Sequence, residues 1–377
     1  MGKRELLLIA AFAVLGVVVY QVSAPASAPG SEGAGLSAIW HNLQRHVKGN
    51  QATAAADSTE SALADGVREL RITIARSSTI TITGEDRHDV SATLHVTARG
   101  FDDQEARASS TAIRLRLERA GDAIVVRTEM AGSRPRSAPP AQVTIALRVP
   151  RQLAVRVEPN SGALAIANVA ALDVMGARGE LRASSIAGTA TITHASGPLT
   201  IDGCGSLKLT NRGGAATVRN VAGTTSIDPT GGGVTIDRVT GPLDVDSRGA
   251  DVTLSGLDAL EAPLRINAVG GRLGIDGLRT ETRIDARNAP VELSLAAPAA
   301  VTVYSTAQDI AITPASGGYT LDAVATDGRV TIADADLHAS ESNGDSRASG
   351  PVRGGGPALV LRATHANIDV RAHRSGK

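Results

Sequence analysis

Apolar residues return on a nine-residue beat through the C-terminal two-thirds of this chain. Triplets of the form apolar-x-apolar begin at Leu199, Leu207, Ala216, Thr225, Val234, Leu243 and Val252. After a short insertion they resume at Leu264, Leu273, Thr282, Val291, Val301, Ile310, Tyr319 and Val330. A triplet is too short for a helical face and has the alternation of a strand with one buried side. Glycines at 188, 197, 205, 214, 223, 232, 241 and 249 punctuate the beat. Two glycines per 17 or 18 residues predict a coil of two short strands, cornered where glycine takes positive φ cheaply. The predicted fold is therefore all-β: a single β-solenoid (β-helix) of roughly 18-residue coils over residues 161–372. At about 4.8 Å per coil, roughly ten coils between residues 160 and 335 make a rod on the order of 50 Å long. Residues 338–357 are rich in Ser, Gly and charge and read as a loop, ordered or mobile. Leu359-Val-Leu and Ile368-Asp-Val then resume the beat as a terminal coil, which with the polar tail 373–377 caps the open end.

Upstream the period shortens to two. Apolar and polar residues alternate from Val67, again over 79–83, 90–98, 113–119 and 123–128, and from Val143 to Val149, which predicts half-buried antiparallel strands over residues 67–160. Residues 100–110 and 131–141 read as exposed loops, the second with a basic tip at Arg134 and Arg136.

The N-terminus reads as an address. Lys3 and Arg4 precede an apolar run from Leu6 to Tyr20, so residues 1–22 are expected to be a signal anchor or a signal peptide, with Ala26 as a cleavage point. Residues 23–66 are expected to be a flexible tether, rich in Ala, Ser, Gly and Pro. Inside it Leu36, Ile39, Trp40, Leu43 and Val47 fall at helical spacing, giving a short amphipathic helix over 36–48 that either rests on the membrane surface or simply links.

Composition sharpens this picture in two ways. Aromatic residues are only 2% of the chain, so Val, Ile, Leu and Ala must build the core by stacking on copies of themselves. The 38 basic and 38 acidic residues cancel, which removes the field that favours nucleic acid. Cys204 is alone, so there is no disulfide framework. It follows Ile186 and precedes Val221, Val239 and Leu257 at steps of 17 or 18, which places it in an inward column as a small hydrophobe.

The run from Val143 through Arg148-Val-Pro-Arg151 to Ser161-Gly-Ala-Leu-Ala-Ile166 joins a strand ending in Val-Pro, a second strand, and a Ser-Gly turn that opens strand repeats. This run resembles the bacterial family named putative adhesins, and Val239 to Leu257 is similar to that family's repeat unit. The resemblance covers about residues 67–372. It implies an exported or membrane-anchored β-solenoid of the cell envelope, and it brings no catalytic residues.

Candidate chemistry is sparse. Asp202, Asp228, Asp237, Asp246, Asp276 and Asp285 sit on the beat. In calcium-binding β-rolls a glycine two positions earlier leaves room for the ion, and only Gly274-Ile-Asp276 approaches that pattern, so these carboxylates are expected to brace corners. Tyr304 and Tyr319 are read as belonging to different ladders, which leaves no aromatic platform for sugars. Gly344-Asp-Ser346 lacks the strand-to-helix elbow of a nucleophilic serine, and the eight histidines form no ligand pair. No catalytic, cofactor-binding or metal-binding residue is assigned. The expected function is non-enzymatic: a membrane-tethered cell-envelope β-solenoid with an adhesin-like, scaffolding or sensing role. It is exported and anchored to the cytoplasmic membrane, with the solenoid outside, in the periplasm or at the cell surface. Expected partners are the membrane, through the N-terminal segment, and an envelope protein or glycan. The alternative is a carbohydrate-binding or polysaccharide-cleaving β-helix.

Overall fold

The computed structural model describes residues 52–74, 78–131, 140–333 and 337–372. These are mostly strand, 29 of them in one sheet, with one α-helix among the described residues. The apolar run 6–20, the 36–48 helix, the basic tip at Arg134 and Arg136 and the 373–377 tail lie outside them. No helix among the described residues is long and apolar enough to cross a membrane.

The chain divides into two compact units, one made of residues 1–55, 97–112 and 133–141, the other of the remainder. In the smaller unit, the expected loop at 100–110 is instead helix α1 (Asp103–Thr111). Asp102 caps it by accepting from the Glu105 N–H at 2.8 Å, and Glu105 reaches back to accept from the Phe101 N–H at 3.1 Å. Asp103 and Glu105 lie in the first turn, where the helix dipole favours negative charge. Polarity alone made this segment look like a loop; Asp-x-x-Glu was its start signal.

Part of the segment expected as a tether is strand. β1 (Ala52–Leu63) is a strand, followed by β2 (Glu69–Thr73), β3 (Thr79–Glu85), β4 (Asp89–Gly100), β5 (Ile113–Ala120), β6 (Ala123–Met130), β7 (Gln142–Pro150), β8 (Ala154–Val157) and β9 (Leu164–Val169). The expectation of antiparallel pairing holds only in part. β5 and β6 form an antiparallel hairpin. Contacts from Asp57 to His95 and from Thr59 to Thr93 run in the antiparallel order between β1 and β4. β2, however, lies parallel between β6 and β8, and β3 parallel between β7 and β9. Alternation reports a buried face and carries no information on strand direction.

The pairing continues without interruption into β10 (Ala171–Arg178), β11 (Leu181–Ser196), β12 (Leu199–Asn211), β13 (Ala216–Val221), β14 (Thr225–Pro229), β15 (Gly233–Val239), β16 (Leu243–Arg248), β17 (Asp251–Ser255), β18 (Leu264–Val269), β19 (Leu273–Leu278), β20 (Thr282–Arg287), β21 (Val291–Leu295), β22 (Val301–Thr306) and β23 (Ile310–Thr313). From β13 to β21 each strand pairs in parallel with the strand two further along, so two ladders grow side by side, the first holding β13, β15 and the later odd-numbered strands to β23, the second β14, β16 and the even-numbered strands to β22. β11 and β12 are long enough to contribute to both ladders. Register stacks like on like. One column runs Ile145, Ile80, Leu164, Leu181, Leu199, Ala216, Val234, Val252, Leu273, Val291 and Ile310, all buried. Each buried Leu, Ile or Val contributes about 1.5–3 kcal/mol relative to exposure.

The remaining strands are β24 (Tyr319–Thr326), β25 (Val330–Ile332), β26 (Ser340–Ser342), β27 (Asp345–Val352), β28 (Ala358–Thr364) and β29 (Ile368–Val370). Two expectations are corrected here. The 338–357 loop is mainly a hairpin, β26–β27, turned at Asn343-Gly344, both with positive φ. The strands expected as a terminal coil do not end the stack: β28 pairs in parallel with β22 on one side and β24 on the other, and β29 likewise with β23 and β25. The unbroken beat at 301, 310 and 319 gave no sign of a coil inserted from further along.

The glycines divide into two kinds. Gly197, Gly214, Gly232 and Gly249 have positive φ, whereas Gly188, Gly205, Gly223 and Gly241 do not. The latter are required by close approach: a Cβ on Gly223 would lie 2.5 Å from Gly205 O, and one on Gly241 2.5 Å from Gly223 O. Gly214 is under both demands, with φ +86 and a would-be Cβ 2.0 Å from Gly197 O. Gly214→Ala is expected to destabilise by roughly 2–4 kcal/mol. Gly274→Ala, where a Cβ meets nothing within 4 Å, should leave the guanidinium unfolding midpoint unchanged or raise it. Equal midpoints for the two variants would contradict the close-approach assignment.

Candidate functional site

The outward residues of the ladders are polar and joined across coils. Asp202 accepts from Asn220, whose side-chain oxygen accepts from Arg238 at 2.8 Å, and Arg238 pairs with Asp237. Arg248 bridges Asp228 at 3.0 Å and Asp246 at 2.9 Å. Asp276 accepts from the Ser294 hydroxyl, which in turn accepts from the Gly277 N–H. Asp285 pairs with Arg283 at 3.0 Å. All six carboxylates on the beat therefore have protein partners, Arg238 and Arg248 among them. Exposed pairs of this kind contribute at most about 1 kcal/mol each. Among the described residues no three His, Cys, Asp or Glu side chains converge as metal ligands.

Five residues weighed from the sequence find structural places. Cys204 sits between Ile186 and Val221 in register and is only 5% exposed; burial pushes its thiol up to about 11. Ser346 is buried in β27 and its hydroxyl accepts from the Val330 N–H at 3.1 Å, far from any elbow. His194 is fully buried, with Nε2 3.0 Å from Gly179 O and Nδ1 3.1 Å from Asn211 Oδ1. His365 stands by Asp327 at 3.2 Å, and His95 by Asp57.

Two features could receive a ligand. The first is a surface patch on β20, β22 and β28. Asp285, Tyr304 and Arg362 are register partners on these adjacent strands. Tyr304 is 40% exposed, and the Arg283 guanidinium lies 5.0 Å from its ring centroid. Arg283 is held by Asp285, and Arg362 by Asp322. Tyr304 and Tyr319 stand in different same-position columns, as expected: Tyr304 aligns through Arg362 with Val324, although β22 and β24 belong to one strand stack through β28. Tyr319 faces inward and Tyr304 outward.

The second feature is a cavity of about 580 Å³ beside the β26–β27 hairpin, lined by residues that include Arg329, Glu341, Asn343, Asp345 and Asn367. Arg329 and Glu341 pair at 3.2 Å. The Asn367 side-chain oxygen accepts from the Arg329 N–H, and its amide lies 3.3 Å from Asp309. The lining side chains are polar and supply both donors and acceptors.

No protein-family model matches the sequence and no curated protein resembles it. Solved structures do. The chain is similar to a "putative cell adhesion protein" from Clostridium sporogenes, with 8% identity, covering 85% of this chain and 100% of that one, at a TM-score of 0.21. It is also similar to a "putative adhesin" from Parabacteroides distasonis (10% identity, 84% and 97% covered, TM-score 0.25). A "putative lipid binding protein" from the same organism gives 9% identity, 83% and 96% coverage and a TM-score of 0.24.

With its thiol pushed up to about 11, Cys204 should resist iodoacetamide at pH 8 in the folded chain and react rapidly in denaturant. Equal alkylation rates in the two states would show that the column does not shield it.

Proposed function

We propose that the two ladders are facing walls of one β-solenoid, and that the chain is a non-enzymatic component of the cell envelope. In this reading residues 1–22 hold it to the cytoplasmic membrane and the solenoid stands outside, in the periplasm or at the cell surface. Its outward columns provide an adhesin-like, scaffolding or sensing surface. The observation that carries the reading is the in-register stacking itself. It repeats short polar patterns at intervals of about 4.8 Å along each ladder, a geometry suited to a partner that is extended rather than compact. The ion pairs that bridge successive coils hold these side chains in place.

A second reading, carbohydrate binding, is favoured by one specific pair of features. Tyr304 offers an exposed ring flanked by two charge-held arginines, and the hairpin cavity has a polar lining and a volume that suits a small ligand. Sugars are recognised by this combination of a flat apolar ring face and fixed hydrogen-bonding groups.

Fractionating cells that express the full chain tests the location: recovery with the cytoplasmic membrane and digestion by protease added outside that membrane are expected. Recovery in the cytosol would sink the envelope reading. Incubating the purified chain with an array of envelope glycans and polysaccharides tests the activity. Binding without turnover, weakened by Tyr304→Ala or Asp345→Ala, would favour the second reading; turnover of any glycan would show that the chain is an enzyme.

A further inference from the structure

The order of coils in space departs from the order in the chain at one place. β28 fills a slot between β22 and β24, with Val301, Leu359 and Leu321 in one column and Val303, Leu361 and Ala323 in the next. β29 does the same between β23 and β25, aligning Ile310, Ile368 and Val330. The far edge of β24 is already occupied: β27 pairs with it antiparallel from Tyr319–Val352 to Ala325–Ser346. The chain therefore crosses from the outer edge of β24 to its inner edge in the five residues Arg353-Gly-Gly-Gly-Pro357.

That crossing is tight. Arg353, Gly354 and Gly355 all have positive φ, and for Arg353 this conformation costs energy. A Cβ on Gly356 would lie 2.3 Å from Gly318 O, and one on Gly318 2.3 Å from Gly355 O, so the connection passes directly over the start of β24. Arg353 is held by donating to Ser316 O at 2.8 Å and by lying 5.4 Å from the Tyr319 ring centroid.

The slot is made for this coil in particular. Besides the apolar columns, Arg362 pairs with Asp322, His365 with Asp327 at 3.2 Å and Arg371 with Glu292 at 2.7 Å. The Asn367 N–H donates to Asp309 at 2.8 Å. These contacts run from residues 358–371 to the walls of the slot and, for Glu292, to β21 next to β23. None depends on the inserted coil belonging to the same molecule. A short, strained, glycine-rich hinge that leads to a strand pair with its own slot is the arrangement that favours exchange between copies.

We propose that residues 358–371 are an exchangeable coil and that a second copy of this chain is the partner: two molecules join by each placing β28–β29 in the other's slot. The exchanged pair keeps every register contact and relieves the crossing at 353–357. The balance is set by hinge strain and by protein concentration.

The test places cysteines at the register partners Thr302 and Val360 in the full chain, with its native thiol removed by Cys204→Ala. Thr302→Cys with Val360→Cys forms a disulfide within one chain if the coil inserts at home, and between chains if it is exchanged. Non-reducing gels distinguish the two, and single-cysteine chains measure linkage by random collision. After refolding from denaturant, the double variant is expected to give the intramolecular link when dilute and a growing intermolecular dimer, above the single-cysteine background, when concentrated. Deleting Gly354 and Gly355 should raise the dimer fraction roughly tenfold at a fixed concentration by blocking the crossing. If the intact-hinge double variant gives only the intramolecular link at every concentration, the proposal is overturned, whether or not the shortened chain folds.

Discussion

Register between paired parallel strands is the constraint on which this structure rests. Each strand has one face against the interior, so a slip of a single residue would turn its apolar side chains to water and bring its polar ones in. Parallel pairing across 17 to 21 residues places position on equivalent position, as in Leu199–Ala216, Val234–Val252 and Val252–Leu273. A chain with so few aromatics fills its interior through these aliphatic columns. Polar residues enter the columns only when satisfied locally: Thr225 and Thr282 are buried, and their hydroxyls donate to the carbonyls of Gly223 and Thr280.

The corners impose a second demand, and its cost falls unevenly. In the first ladder the turning position aligns Asn168, Ser185, Gly203, Asn220, Arg238, Gly256 and Gly277, all with positive φ. Glycine and asparagine accept that conformation readily, while serine and arginine hold it under strain. Arg238 gains compensating contacts there, because the turn aims its guanidinium at Asn220 and Asp237. The outward ion pairs are thus coupled to the corners: their charges stand where the turning backbone places them, one coil above the next.

This coupling explains what could be read from the residues alone. The triplet starts at Leu199, Ala216, Thr225, Leu243, Leu264, Leu273, Thr282, Val291, Val301 and Ile310 fall at or within strand starts, because burial of alternate residues is a property of each strand by itself. The Cys204 column was legible for the same reason: it follows from counting residues per coil. Strand direction in 67–160 was not legible, since alternation is the same in parallel and antiparallel pairs. The Tyr304 patch and the hairpin cavity were hidden for a different reason. Both require knowing that Arg362 and Asn367 stand beside residues far from them in sequence, and a local period cannot announce that.

The inserted coil also answers a problem that every stack of strands has, which is how to end. An outermost parallel strand offers a full row of unpaired amides and carbonyls to any passing chain. At the N-terminal side the second ladder ends in β5, whose outward residues include Arg114, Arg116 and Glu118, and whose Leu117 N–H is taken by the Glu60 carboxylate. At the C-terminal side, a last coil laid on the outside would leave the edges of β28 and β29 open. Drawing that coil inward releases the polar segment before it to cover β24, and the ladder then ends in β26, three exposed residues, Ser, Glu and Ser. The first ladder ends in β25, also only three residues long. Short and polar final strands deter edge-to-edge pairing, so the reversal of order at β28–β29 trades a simple sequential stack for a protected end. The same trade places the strained crossing at 353–357, because a coil can be moved inward only if the chain doubles back over β24.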